Sequence, residues 1–478
     1  VRTGADVNDQ AAARRAVVDR LARLFGEWGD EQAIEFEDRW ISWREVGRLA
    51  ERLGGELAAR RVAPDAPVAV VMRQRPAALA AELGVLSLGR TAVLVSPLQS
   101  DRSLVGDLAG MAPAVVVAHP TDWQRAGVEA AVGAAGSLGL SVDDDLDLRV
   151  RVEPDRPLPD GPVLGDTVPG DRVPEAAVTV QTSGTTRRPE RLPVDWATFV
   201  ASGGGPQGGP ARSGRGAIIL TLPLVTLGGY LSVARLVFLG RPLAMMERFD
   251  VHAWAALVKE HRPRVIGAPP PVVAMILDAG ISADHFDGVT AYTTGSAAVP
   301  VELKRAFEER YGIPVLVGYG ATEFLDSVTT WTPELWAEFG AEKAASAGRP
   351  RPGVRLRVLD PATLAGSPRE VPIGEEGILE VDPPARAAHL PAGWLRTNDR
   401  ARLDEDGFLW VLGRADDVIV RGGFKVDLQA VREALLTHPA VAEAEVVGLH
   451  DDRLGEVPGA VVVLADDAAP PSESELQG

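Results

Sequence analysis

Short, uninterrupted apolar runs alternate with segments of helical periodicity along most of this 478-residue chain, and that alternation restricts its fold more than any other feature. The runs VAVVM (68–72), TAVLVSP (91–97), AVVVA (114–118), AAVTVQ (176–181), AIILTLP (217–223), RVIGAPP (264–270) and IPVLVGYG (313–320) are short and mainly apolar. A strand of that kind is buried on both faces. Before them, AAARRAVVDRLARLF (11–25) and REVGRLAERLGGELAAR (44–60) place apolar residues at helical spacing, and among them AALAAELGVLSLGR (77–90) reads as a further helix. Strands and helices in this order predict an α/β fold with parallel-rich sheets covered by helices. The Asp/Pro-rich run from Val142 to Pro174 and the Gly-rich stretch 202–216 read as connections.

After Gly348 the texture changes to short strands and tight turns (VRLRVLD, EEGILEVD, DEDGFLWVLG), which predicts a small β-rich subdomain. Further on, VDLQAVREALLTHPAVAEAEVVGL (426–449) reads as helix then strand, and GAVVVL (459–464) as another strand. The expected organisation is a large N-terminal domain over 1–414 and a small α+β domain over 415–478 behind the charged hinge GRADD.

Charge and composition exclude several classes of function. A net charge of −18 repels polyanions, so nucleic acid is not the expected partner and any phosphate site must be built locally. Cysteine is absent, which removes disulfides, thiolate metal sites and cysteine nucleophiles together. No apolar run is long enough to span a membrane and the N-terminus is not signal-like, so a cytoplasmic location is expected, with no membrane partner. Lysine occurs only at 259, 304, 343 and 425, so a catalytic lysine has few places to be.

The segment VTVQTSGTTRRPER (178–191) puts a strand directly before a loop of glycine and hydroxyl residues, where backbone N–H groups and hydroxyls can converge on an anion. A polar turn reads equally well from these residues alone. A P-loop is excluded, because none of the lysines follows a glycine. The loop has company, however: GSAAVP (295–300), GYGATE (318–323), GRPRPG (348–353), GEEGILEV (374–381) and GWLRTNDRARLDEDGFLWVLGRADDVIVRGG (393–423) follow it in order. Together these segments resemble the adenylate-forming superfamily of acyl- and aryl-CoA synthetases, luciferases and nonribosomal peptide adenylation domains.

The resemblance implies a site for ATP, Mg²⁺ and a carboxylic acid. Thr182, Ser183, Gly184, Thr185 and Thr186 match the phosphate loop; Gly295, Ser296 and Ala297 match a loop lining the adenine and acyl pockets. Tyr319, Gly320, Ala321, Thr322 and Glu323 match the motif in which the ring stacks near adenine, the threonine bonds the α-phosphate and the glutamate helps hold the metal. A carboxylate suits a hard cation. Asp399 matches the aspartate that accepts the ribose hydroxyls and Arg414 an arginine at ribose and phosphate; Asp416 holds the hinge position, with Gly422 and Gly423 along the path of an incoming thiol or amine.

This chain also departs from the pattern. Arg187 and Glu190 stand where the phosphate loop usually has glycine and lysine, and Arg187, Arg188 and Arg191 are candidates for the missing positive charge, Arg187 and Arg188 as catalytic groups. PLVTLGG (223–229) puts Thr226 where relatives carry a histidine or aromatic gate, and Thr226, Gly228, Gly229 and Ala321 are the expected walls of an acid pocket suited to a flat aromatic acid. The catalytic lysine of the superfamily's C-terminal domain would lie beyond Gly478, and a chain that continues is the expectation. The implied activity is formation of an acyl-adenylate with release of pyrophosphate, then transfer to CoA. An amide-bond synthetase using an amine, and a non-catalytic relative that binds a nucleotide or acyl-adenylate, are the alternatives.

Overall fold

A computed structural model describes residues 4–155, 158, 176–181, 191–205, 216–295, 299–364, 366–386, 390, 392–421, 424–451, 455–465 and 471. They form two compact units, Val1–Gly340 with Pro384–Pro391 and Ala341–Pro383 with Ala392–Gly478.

The centre of the first unit is a seven-stranded sheet, in the order Leu148–Val152, Leu138–Val142, Val115–Ala118, Val68–Val71, Ala92–Val95, Ala176–Gln181, Arg191–Asp195. Its inner neighbours pair in parallel, and its two outermost pairs are antiparallel. Strands 68–71, 92–95 and 115–118 are buried at every position, as their unbroken apolar sequence requires. The helix Trp43–Ala59 starts at a capping box: Ser42 Oγ accepts the Glu45 N–H, and Glu45 accepts the Ser42 N–H at 2.7 Å. It buries Trp43, Val46, Leu49, Leu53 and Leu57, one stripe of its surface. The helix Pro76–Ser87 is different, being buried on every side apart from its last residue.

One expectation needs correction. The run from Val142 to Pro174 is not all connection, because Leu148–Val152 pairs with Leu138–Val142 as an edge strand. Its alternating buried and exposed positions are those of a strand covered on one face only.

A second, three-stranded parallel sheet joins Val265–Gly267, Ala291–Thr294 and Val315–Val317. It packs with the helices Val251–His261, Pro270–Asp278 and Val301–Tyr311 around Trp254, Phe286, Tyr292 and Phe307. A third sheet pairs Ile218–Ile219, Leu243–Met245 and Gln32–Phe36 in parallel and closes with the antiparallel strand Arg39–Ser42.

The second unit is antiparallel throughout. One sheet runs Arg355–Leu359, Gly377–Asp382, Leu395–Leu403, Leu409–Arg414. The other runs Phe424–Asp427, Val418–Arg421, Gly455–Leu464, Val441–Asp451, with the helix Leu428–Leu436 packed on it. Among the described residues no helix is long and apolar enough to cross a membrane.

Candidate active site

The carboxyl edge of the three-stranded parallel sheet gathers two of the expected segments. Gly318 N donates to the Thr294 carbonyl at 2.9 Å, so the ends of strands 291–294 and 315–317 lie side by side. A side chain at Gly295 would put its Cβ 2.8 Å from the Gly318 carbonyl oxygen, and that close approach is what glycine permits there. The chain then turns back on itself: Gly320–Ala321 pairs antiparallel with Asp326–Ser327, and Thr322–Phe324 forms a single 3-10 turn between them. Tyr319 is fixed at the base, its N–H donating to Thr329 Oγ1 at 2.9 Å and its carbonyl accepting from Val328 N at 2.8 Å. Thr322 and Glu323 thus sit at the tip of a braced hairpin. Phe324 and Leu325 behind them are buried while Glu323 is exposed, and among the described residues its carboxylate forms no ion pair.

The phosphate-loop residues Thr182, Ser183, Gly184, Thr185 and Thr186, with Arg187, Arg188 and Glu190, lie outside the described residues, as do Ser296, Ala297, Gly422 and Gly423. What flanks the loop is clear. Gln181 and Arg191 are directly paired, so 182–190 join two antiparallel strands at the margin of the large sheet. Arg191, one candidate for the positive charge at that loop, is already engaged elsewhere. Its side chain is 1% exposed and its guanidinium is bonded to Asp107 on the helix Asp101–Met111. A buried cation beside a carboxylate stays there, because separating the pair leaves an uncompensated charge in a low dielectric.

Thr226 has a structural task. It is the N-cap of the helix Leu227–Leu239, its Oγ1 donating to the Pro223 carbonyl at 2.7 Å and accepting the Gly229 N–H at 3.3 Å. Gly229 has a steric reason of its own, since a Cβ there would come within 2.4 Å of the Pro223 oxygen.

In the second unit, Asp399 and Arg414 stand directly opposite one another on neighbouring antiparallel strands. Residues so paired share one face of a sheet. A register shift between Arg400 and Ala401 brings this about, and sequence spacing gave no sign of it. Thr397 Oγ1 accepts the Asp399 N–H at 3.1 Å and donates to the Leu379 carbonyl at 2.9 Å, fixing the strand at this point. Arg400, on the neighbouring position, reaches Asp427, which also caps the helix Leu428–Leu436. Asp416 lies in the single turn Ala415–Asp417 between strands.

One further cluster could hold a cation: ligand atoms of Glu35, Glu260 and His261 all lie within 4.8 Å of one another. Glu35 Oε2 and His261 Nε2 are already 2.5 Å apart in a shared hydrogen bond, and burial raises the Glu35 carboxyl while His261 opposes that rise. This is a tie between a strand and a helix end.

Residues 21–385 match the AMP-binding enzyme family, and residues 430–478 match the AMP-binding enzyme C-terminal domain. The chain belongs to the AMP-binding enzyme family. It is thereby a member of the adenylate-forming superfamily. Among its relatives are 2-succinylbenzoate–CoA ligases: that of Bacillus pumilus (strain SAFR-032) is 29% identical over 308 residues, 63% of this chain and 61% of that one. This chain thus spans less than two thirds of that ligase. The ligase of the same name from Bacillus subtilis (strain 168) is 24% identical over 445 residues, 90% of this chain and 85% of the other. In fold the chain is similar to o-succinylbenzoate CoA synthetase from Bacillus subtilis, solved with its acyl-adenylate intermediate (TM-score 0.74, 24% identity, 96% of this chain and 90% of that one). It is similar also to the anthranilate CoA ligase AuaEII in complex with anthranoyl-AMP (TM-score 0.74, 21% identity, 96% and 89%).

Proposed function

We propose that this chain activates a carboxylic acid, aromatic by preference, with ATP to give an acyl-adenylate and pyrophosphate, and then transfers the acyl group to CoA. The direct pairing of Asp399 with Arg414 carries the reading. A carboxylate that accepts from vicinal hydroxyls, with a guanidinium on the same sheet face, suits a ribose next to a phosphate. Thr322 is the proposed hydroxyl for the α-phosphate and Tyr319 the proposed ring for adenine. Gly295, Gly320 and Ala321 leave room for flat groups, and Thr226, Gly228 and Gly229 wall the acid.

A substrate carboxylate is already ionised at neutral pH, so no general base is needed, and its attack on the α-phosphorus expels pyrophosphate. Catalysis then consists of positioning and charge neutralisation. Mg²⁺ supplies part of the latter when bound; Glu323, an exposed oxygen donor without an ion pair among the described residues, is the group that would hold it. Relatives named 2-succinylbenzoate–CoA ligase support an aromatic acid and CoA as acceptor. Asp416 is the proposed hinge, with 1–414 and 415–478 as the bodies that alternate. The Arg400–Asp427 ion pair joins strands on either side of it and would have to part in that motion.

The test is pyrophosphate exchange with 2-succinylbenzoate, anthranilate, benzoate and octanoate, followed by CoA against simple amines with mass detection. Exchange with an aromatic acid and a CoA thioester as product are expected. An amide product would reassign the acceptor, and ATP binding without exchange for any acid would mark a non-catalytic relative. Glu323→Gln should lower exchange about 100-fold, whereas Arg187→Ala and Arg188→Ala should raise the KM for ATP or slow adenylation. Unchanged kinetics in both arginine variants would remove them from the phosphate site.

A further inference from the structure

The turn Leu222–Leu224 runs directly beneath the glycine pair that opens the helix Leu227–Leu239. A Cβ at Gly228 would lie 2.1 Å from Leu222 Cδ1, and one at Gly229 would lie 2.5 Å from Leu224 Cα. Where those three residues sit therefore decides where Gly228, Gly229 and Thr226 sit. Their position is set from a distance by one side chain. Gln74 Nε2 donates to the Leu222 carbonyl at 3.3 Å, and Gln74 Oε1 accepts the Leu224 N–H at 3.0 Å. The primary amide thus takes the place of a neighbouring strand, meeting an outgoing carbonyl and an incoming N–H two residues apart. Leu224 is fully buried, so its N–H has no water to turn to.

Gln74 is held as firmly as it holds. It follows the strand Val68–Val71, whose neighbours 92–95 and 115–118 lie on opposite sides, so it stands at the carboxyl edge where the sheet order reverses. Ligand sites in α/β sheets gather at such edges. On one side of it Arg73 makes a two-pronged contact with the fully buried Asp122, at 2.7 and 3.0 Å. On the other, Arg75 is paired with Asp144 and with Glu247, close after the strand Leu243–Met245 that pairs with Ile218–Ile219. That ribbon feeds the turn Gln74 grips.

We infer that Gln74 is a positioning residue for the carboxylic-acid pocket, setting the Leu222–Thr226 turn and through it the wall made by Thr226, Gly228 and Gly229. The inference rests on the reading of that wall as the acid site. Gln74 touches no reacting atom in this scheme. Only a group with one donor and one acceptor fits: Gln74→Met keeps length and loses both bonds, and Gln74→Glu keeps the acceptor but turns a second oxygen toward the Leu222 carbonyl.

The experiment measures acid and ATP kinetics in pyrophosphate exchange with the same four acids for wild type, Gln74→Met, Gln74→Glu and Thr226→Val, and hydrogen–deuterium exchange over 222–230. Both Gln74 variants should lower kcat/KM for the acid about tenfold and alter the ranking of acids, with the KM for ATP changed less than about twofold. Exchange of the 222–230 peptide should quicken in both. Equal losses for acid and ATP, or unaltered exchange of that peptide, would overturn the inference. If Thr226→Val shifts acid ranking and the Gln74 variants do not, positioning by Gln74 is wrong while the pocket stands. If the peptide loosens but no variant moves acid ranking, the pocket reading fails, and the acid-positioning role with it.

Discussion

The two units differ in how they place charge and apolar surface, although the second also buries Glu380 and the first also exposes Leu98 and Val265. In the first, charged groups are taken inside: Glu82 on the helix Pro76–Ser87 is fully buried, as is Asp122 under Arg73, and Arg191 is buried against Asp107. In the second, apolar groups are left outside. Val447, Leu449, Val461 and Val463, at 48, 50, 72 and 52% exposure, stand on strands Val441–Asp451 and Gly455–Leu464, while Ala444 and Val446 between them face the helix Leu428–Leu436. A parallel sheet covered on both faces leaves its edge loops as the sole place for chemistry, and interior charges tie those edges together. An antiparallel sheet covered on one face presents its other face to whatever lies beyond.

The sharpest way to break this contrast is at Glu82. Burial pushes its carboxyl up to about 8 from 4.5, and among the described residues neither oxygen has a hydrogen-bond partner. Between those two values the folded chain keeps a proton that the unfolded chain gives up. Stability should therefore be greatest below pH 4.5 as far as this group is concerned, and fall as pH rises toward 8, by on the order of 5 kcal/mol. Urea midpoints across that range should decline in the wild type and flatten in Glu82→Met, which should also be the more stable protein at pH 8. Equal slopes in the two would show that the carboxyl is not isolated.

Next in size is Arg191→Met, which strands Asp107 and should cost about 3 kcal/mol by urea denaturation. Were Arg191 a phosphate ligand instead, the KM for ATP would rise with stability intact.

The same chemical change separates the units most directly. Val70→Thr, in a fully buried strand, should cost about 2 kcal/mol, because the hydroxyl enters an apolar core. Val461→Thr should stay within about 0.5 kcal/mol. A large loss at Val461 would mean that the outer face of the second unit is covered in solution.

Much of the scaffold could be read from the chain. The runs at 68–72, 91–97, 114–118 and 176–181 are all strands of one sheet, and the helices expected at 11–25, 44–60 and 77–90 are present. The edge strand Leu148–Val152 was hidden because its neighbourhood of Asp and Pro outweighed its own alternation. Thr226 stood out as an unusual residue, but its capping bonds could not be read from its type. Gln74 carried no signal at all, since the carbonyl and N–H it binds lie 148 and 150 residues away.

By itself the sequence determined the alternation of buried strands and helices, the β-rich texture after Gly348, and the family, because those rest on local apolar period and on contiguous motifs. Only the tertiary structure decided which charges are available. It sent Arg191 to Asp107, set Asp399 opposite Arg414 through a one-residue shift in register, and made Gln74 the partner of a turn far along the chain. The physical reason is common to all three. A buried or half-buried polar group must find its partner in space, and folding brings that partner from a part of the chain to which local pattern gives no clue.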